Sequence, residues 1–155
     1  MNPRNWVRER AERERVCASQ APALWEKVRA ALQDASDSYN EEYGNPAYPE
    51  VKYELENGKR ILIVRTSFIG GPGQSNEERR SVLVTFDEHG GCITFVGDID
   101  GSSGELVITV DGHEVFVTRK DKNERMEPDD VSRLLLQGIF FKPGERKRPR
   151  AKPRA

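Results

Sequence analysis

Three stretches of the chain decide its fold: EVKYELENGKRILIVRTSF at residues 50–68, RSVLVTFDEHGGCITFVG at 80–97 and ELVITVDGHEVFVTR at 105–119. Each has two runs of apolar and β-branched residues around a short turn signal. The turn signals are Asn57-Gly58, Glu88-His89-Gly90-Gly91 and Asp111-Gly112. Because glycine and asparagine readily adopt the positive φ of tight hairpin turns, each stretch predicts a β-hairpin. Together they predict a six-stranded antiparallel sheet.

The alternation of side chains predicts the faces of this sheet. A two-residue Asn57-Gly58 loop pairs Glu56 with Lys59 in the first hairpin. Its apolar face then carries Val51, Tyr53, Leu55, Leu62 and Val64. Its opposite, mixed and half-exposed face carries Lys52, Glu54, Ile61, Ile63 and Arg65. The second hairpin pairs Phe86 with Ile93, and its apolar face adds Val82, Val84 and Phe95. The third collects Leu106, Ile108, Val110, Val115 and Val117.

Helices are predicted on both sides of the hairpins. Residues 1–20 are dense in Arg and Glu and predict a charged, largely exposed helix. A second helix is expected over 22–40, beginning at Pro22, with an apolar face of Trp25, Val28, Leu32, Ala35 and Tyr39. A last helix is expected over 128–140, where Pro128 and two aspartates favour a helix start. Residues 21–141 thus form one predicted α+β domain, with helices covering the more apolar sheet face.

The order of strands followed by a helix is also similar to that of pleckstrin-like domains. In that alternative the sheet is small and strongly bent, and the terminal helix plugs one end.

Charge is distributed unevenly along the chain. Residues 142–155 contain seven Lys or Arg and one Glu, while the preceding residues contain 18 basic and 25 acidic residues. The basic stretch includes three prolines and no large apolar residue, so we predict a disordered tail. Such a tail could bind nucleic acid through counterion release, or it could act as a solubilising or self-docking arm. The candidate nucleic-acid residues are Arg146, Lys147, Arg148, Arg150, Lys152 and Arg154.

The composition excludes several other classes. No apolar run is long enough for a secretory signal or a membrane span. Two cysteines, Cys17 and Cys92, are too few for a disulfide framework, so we expect a cytoplasmic protein with free thiols. The glycine-rich segment 70–75 lacks the lysine and following helix of a phosphate-binding loop, and the acidic segment 98–105 fails the calcium-loop spacing. No cofactor or metal motif is present, and we expect neither.

An enzymatic hypothesis would rest on the thiol of Cys92. This thiol shares one turn with His89, and it could instead meet His113 in the folded chain. A thiol beside a histidine base is a nucleophile pair. Buried structural cysteines are common, however, and no metal-ligand spacing connects these residues.

The sequence therefore favours a non-catalytic binding or adaptor protein that acts through protein–protein contacts. We expect Trp6 to act as an aromatic anchor and the mixed sheet face near Lys52, Glu54 and Arg65 to meet the partner. Trp6, Val7, Phe140 and Phe141 could instead cap the core. The free strand edges also make a homodimer an option. Nucleic-acid association through the tail and a small Cys92 enzyme are the alternatives.

Overall fold

The computed structural model describes residues 3–44, 50–68, 77–98, 103–120, 122 and 124–141. The elements in chain order are α1 (Pro3–Glu42), β1 (Val51–Glu56), β2 (Arg60–Phe68), β3 (Glu77–Asp87), β4 (Cys92–Gly97), β5 (Gly104–Asp111), β6 (Glu114–Arg119), β7 (Arg125–Met126) and α2 (Pro128–Phe140). The α+β class is confirmed. The described strands number seven rather than six, because two residues before α2 pair with β6.

The sheet is an antiparallel meander in which every strand pairs with its neighbour in the sequence. The predicted faces of the second and third hairpins are confirmed. Phe86 lies opposite Ile93, and Val110 lies opposite Val115. The third loop is Gly112-His113 rather than Asp111-Gly112, since Asp111 still pairs with Glu114. The hairpins also pair with one another through β2–β3 and β4–β5, so they form one continuous sheet.

The predicted register of the first hairpin is wrong by one residue. Glu56 pairs with Arg60, so the loop has three residues, and both Asn57 and Gly58 have positive φ. This shift changes which β2 side chains share a face with β1. Ile61, Ile63 and Arg65 consequently lie on the buried face.

The two predicted N-terminal helices are one helix. α1 runs through Pro22 without a break, although an interior proline removes a backbone donor and costs about 3 kcal/mol. Val16, Ala21 and Trp25 lie on either side of Pro22 and are all buried. Packing on both sides therefore offsets the local cost of the proline. α1 also continues through residues 20 and 21, where the predicted domain begins.

The core lies between the helices and one face of the sheet, here called the inner face. α1 packs against β1, β5, β6 and α2, while α2 also packs against β2, β3 and β7. The largest fully buried side chains are Leu32, Ile61, Ile63, Ile93, Leu106, Leu136 and Ile139. Burying a side chain of this size contributes roughly 1.5–3 kcal/mol. The opposite, outer face carries no described helix.

The predicted bounds of the last helix are confirmed, since α2 spans Pro128–Phe140. Pro128 occupies its first turn, and Glu127 and Asp130 form a reciprocal capping box at its start. No helix within the described ranges is long and apolar enough to cross a bilayer.

Candidate protein-interaction site

The N-terminal part of α1 stands apart from the core. Side chains of residues 5–15, here called the arm, are exposed, apart from the half-buried Ala11. Trp6 is 55% exposed and Val7 is 52% exposed. These two neighbours are the most accessible large apolar groups of the helix. The expectation that they cap the core is therefore wrong for this pair.

The arm keeps its helical form largely through local interactions. Arg10 pairs with Glu14 at 3.3 Å, and Arg15 pairs with Glu12 at 3.1 Å. Such exposed pairs each contribute only about 0.2–0.5 kcal/mol. Since nucleating a short helix alone is unfavourable, the arm extends from a nucleus provided by the packed part of α1.

Three hairpin loops mark where the packed part of α1 begins. The Sγ atom of Cys17 lies beside Gly91 in the β3–β4 loop. Gln20 donates a 2.5 Å hydrogen bond to the carbonyl oxygen of His113. Trp25 donates a 2.6 Å hydrogen bond from Nε1 to the carbonyl oxygen of Gly58, and its ring stacks on Phe86. At 1.5 Å per residue, Trp6 lies roughly 15 Å along the helix from the first buried residue, Val16.

The structure does not bring the predicted partner-binding residues together. Lys52 and Glu54 are exposed on the outer face of β1. Arg65 points to the inner face and is only 2% exposed. Trp6 belongs to α1, which packs on the inner face. The predicted surface therefore separates into the arm, an outer-face patch and a buried arginine.

The buried side chain of Arg65 is fully engaged by hydrogen bonds within the fold. It donates hydrogen bonds to the carbonyl oxygens of Ile139 at 3.2 Å and Phe140 at 2.8 Å, and to Glu50 at 3.2 Å. Its guanidinium also lies 5.6 Å from the centre of the Tyr39 ring. A buried charge needs this degree of pairing to be tolerated. Arg65 is thus unavailable to an external partner.

A groove of about 540 Å³ runs between α1 and α2. Its lining combines apolar, acidic and amide groups: Ala31, Asp34, Ala35, Ser38, Asp129, Ser132, Arg133, Leu136, Gln137, Phe140 and Phe141. Phe140 is buried as predicted, whereas Phe141 is 47% exposed at the groove end. The groove was not predicted, because it requires knowing that α2 packs beside the C-terminal half of α1.

The environment of Cys92 does not activate a thiol. Burial raises its pKa, and the carboxylates of Glu105 and Asp87 raise it further, while Lys120 lowers it. Neither histidine is among the groups that shift it. Burial likewise raises the pKa of Cys17. A nucleophilic cysteine requires the opposite environment, with nearby positive charge that stabilises the thiolate.

Other predicted features fall partly or wholly outside the described residues. The tail at 142–155 and the glycine-rich segment at 70–75 lie entirely outside, as do 99–102 within the acidic segment. Within the part of the chain that the structure describes, no cluster of His, Cys, Asp and Glu could hold a metal ion.

Comparison with known proteins gives no assignment: no protein-family model, no curated protein and no solved structure matches the chain.

Proposed function

We propose that the protein is a non-catalytic protein-binding module that captures its partner with the α1 arm. The exposure of Trp6 and Val7 at the far end of the arm carries this proposal. Tryptophan is enriched among the residues that dominate binding energy at interfaces, because it buries a large area with little loss of side-chain freedom. Its position beyond the hairpin loops makes it accessible to another protein.

The charges of the arm support recognition of a folded surface. Arg and Glu residues alternate over residues 8–15, directly after the two apolar groups, and paired charges at the edge of an interface favour register and rapid association. We propose the cytoplasm as the site of action, where the two free cysteines would stay reduced.

Capture of partners by the full chain tests this proposal. Proteins retained by the wild type are compared with those retained by Trp6→Ala combined with Val7→Ala. The matched control is Val96→Ala, which removes an exposed apolar side chain from the outer face. We expect a partner that is lost with the arm variant and kept with the control.

A parallel charge reversal, Lys52→Glu with Glu54→Lys, tests the outer-face patch. Partners that depend on this patch and are indifferent to the arm would move the binding surface to the outer face. Retention of every partner by both variants would overturn the proposal. Light scattering of the same proteins shows whether the captured partner is a second copy of the chain.

Nucleic-acid binding through residues 142–155 is the second candidate, supported by their seven basic residues and single Glu. Phosphate binding of this type weakens steeply with salt. We expect Arg148→Gln, Arg150→Gln and Arg154→Gln together to reduce both duplex affinity and its salt dependence. An unchanged salt dependence would exclude the tail as the binding element.

A further inference from the structure

The groove between α1 and α2 has an apolar floor and an acidic rim. Ala31, Ala35 and Leu136 contribute to the floor, and Asp34 and Asp129 lie on the rim. Arg133 and Gln137 line the α2 side, so one positive charge is present as well. A groove of this composition suits an extended segment that is basic and carries small apolar groups.

The C-terminal part of α1, beside the groove, carries a run of negative charge. Asp34, Asp37 and Glu41 fall within eight residues, and residues 30–44 contain no Lys or Arg. Like charges three or four residues apart oppose helix formation, and the C-terminal end of a helix also repels anions. Of the ion pairs formed by the described residues, none involves Asp34, Asp37 or Glu41.

The basic segment of the chain begins beside this acidic end. Phe141 directly follows α2, and its ring lies 5.4 Å from that of Tyr43 and 6.0 Å from that of Tyr39. Lys142 is the next residue, followed by Pro143-Gly144 and the main run of positive charge. The basic segment is therefore attached to the fold at Phe141, close to the C-terminal end of α1.

We propose that residues 142–155 turn back and occupy the α1–α2 groove of the same molecule. From Phe140 to Asp129, α2 extends about 17 Å, which five or six extended residues can span. After the reversal at Pro143-Gly144, Arg146 to Arg150 lie along the rim. Their aliphatic stems and Pro149 cover the apolar floor, and their charges meet Asp34, Asp37 and Glu41.

Docking of this kind is reversible. Each exposed ion pair contributes little, but the covalent connection gives the segment a high effective concentration at the groove. Salt screens such pairs, so the docked form is most populated at low ionic strength. An external basic segment would compete for the same groove.

Zero-length carbodiimide cross-linking of the full chain tests this proposal, because it joins only lysines and carboxylates that are in contact. We expect links from Lys147 and Lys152 to Asp34, Asp37, Glu41 or Asp129 in monomeric product, lost at high salt. Lys142 is uninformative because it directly follows Phe141, which already contacts the C-terminal end of α1. The docking proposal would be overturned if the links were spread over carboxylates of the outer face. It would also be overturned if they were found only in cross-linked dimers.

Tryptic cleavage after Arg146 or Lys147 gives an independent readout. Asp34→Asn, Asp37→Asn and Glu41→Gln are combined in one variant, and Glu54→Gln, Glu56→Gln and Asp111→Asn form a control with the same change in charge. We expect cleavage to become roughly three- to tenfold faster in the groove variant only. Equal rates in the two variants would contradict docking in the groove.

Discussion

The guanidinium of Arg65 donates a 2.8 Å hydrogen bond to the carbonyl oxygen of Phe140, the last residue of α2. Carbonyl groups in the last turn of a helix have no partner within it, and the negative end of the helix dipole attracts a cation. A second bond to Ile139 and the ion pair with Glu50 complete the arrangement. One side chain therefore joins strand β2 to the end of α2.

Replacement of Arg65 should strongly destabilise the fold. Arg65→Gln leaves Glu50 without its buried partner and removes donors from two carbonyls, so we expect a loss of about 3 kcal/mol in the free energy of unfolding. Arg65→Lys should recover only part of the loss, because an ammonium group lacks the planar fork that reaches several acceptors. Unfolding in urea gives the free energy of unfolding of both variants. Arg60→Gln, an exposed position on the same strand, is the control, and equal losses at both positions would contradict the assigned role.

Asn40 should stabilise the free edge of β1. Its side-chain amide donates to the carbonyl oxygen of Val51 at 2.8 Å and accepts from the Val51 N–H at 3.0 Å, as a neighbouring strand would. Asn40→Ala removes both bonds, and we expect a loss of about 2 kcal/mol in unfolding free energy. Gln33→Ala, at an exposed position of the same helix, should change stability by less than about 0.5 kcal/mol. Faster hydrogen exchange at the Val51 amide would identify the cause, and unchanged exchange would contradict it.

Two glycines with the same backbone conformation should respond differently to alanine. Gly91 and Gly112 both have a φ of 62°. A Cβ at Gly112 would meet nothing within 4 Å, whereas one at Gly91 would lie 3.2 Å from the Sγ atom of Cys17. We expect Gly112→Ala to cost about 1–2 kcal/mol through backbone strain alone, and Gly91→Ala to cost more.

A double-mutant cycle isolates the additional contact. Combining Gly91→Ala with Cys17→Ala should remove the excess cost, giving a measurable coupling energy between the two sites. Purely additive effects in denaturant unfolding would show that α1 and the β3–β4 loop do not meet at this point.

The two thiols should react more slowly than a model thiol at neutral pH. Burial raises the pKa of both, and Glu105 and Asp87 further raise that of Cys92. Iodoacetamide labelling followed residue by residue should show midpoints above the value of about 8.5 for a free cysteine. Glu105→Gln should lower the midpoint of Cys92 and leave that of Cys17 unchanged. A Cys92 midpoint below the free value would support a nucleophilic cysteine instead.

These shifts also set the direction of a pH effect on stability. Because the folded-state pKa of each thiol lies above its unfolded value, their contribution is fully present below the unfolded pKa. It is lost as the pH rises through the folded-state pKa. Stability should therefore fall on the alkaline side for this reason, and less steeply when Cys92 is replaced by Ala.

The hairpins were predictable wherever one face of a strand pair is clearly more apolar than the other. In the second and third hairpins most of the alternating Val, Ile and Phe residues fall on one face, and that face is the buried one in both. The first hairpin has apolar residues on both faces of β2, so its pattern does not fix the register. A third loop residue, Lys59, moved Ile61 and Ile63 inward.

The buried position of Arg65 could not be predicted from local sequence. A charged side chain can be buried only with partners, and two of its acceptors lie some 75 residues away at the end of α2. Trp6 shows the converse case: its residue type suggested either an anchor or a core position. Only the length and direction of α1 showed that it lies on an exposed arm.

The position of α1 has a consequence for how the protein is made. Each hairpin can close as soon as its second strand has left the ribosome, because strands pair only with sequence neighbours. α1 is synthesised before the strands and α2, yet its apolar face packs against β1, β5, β6 and α2. The buried side chains of α1 therefore lack part of their packing partners until α2 has been synthesised. These side chains include Trp25, Val28 and Leu32, so the core face of α1 is the last to be fully buried.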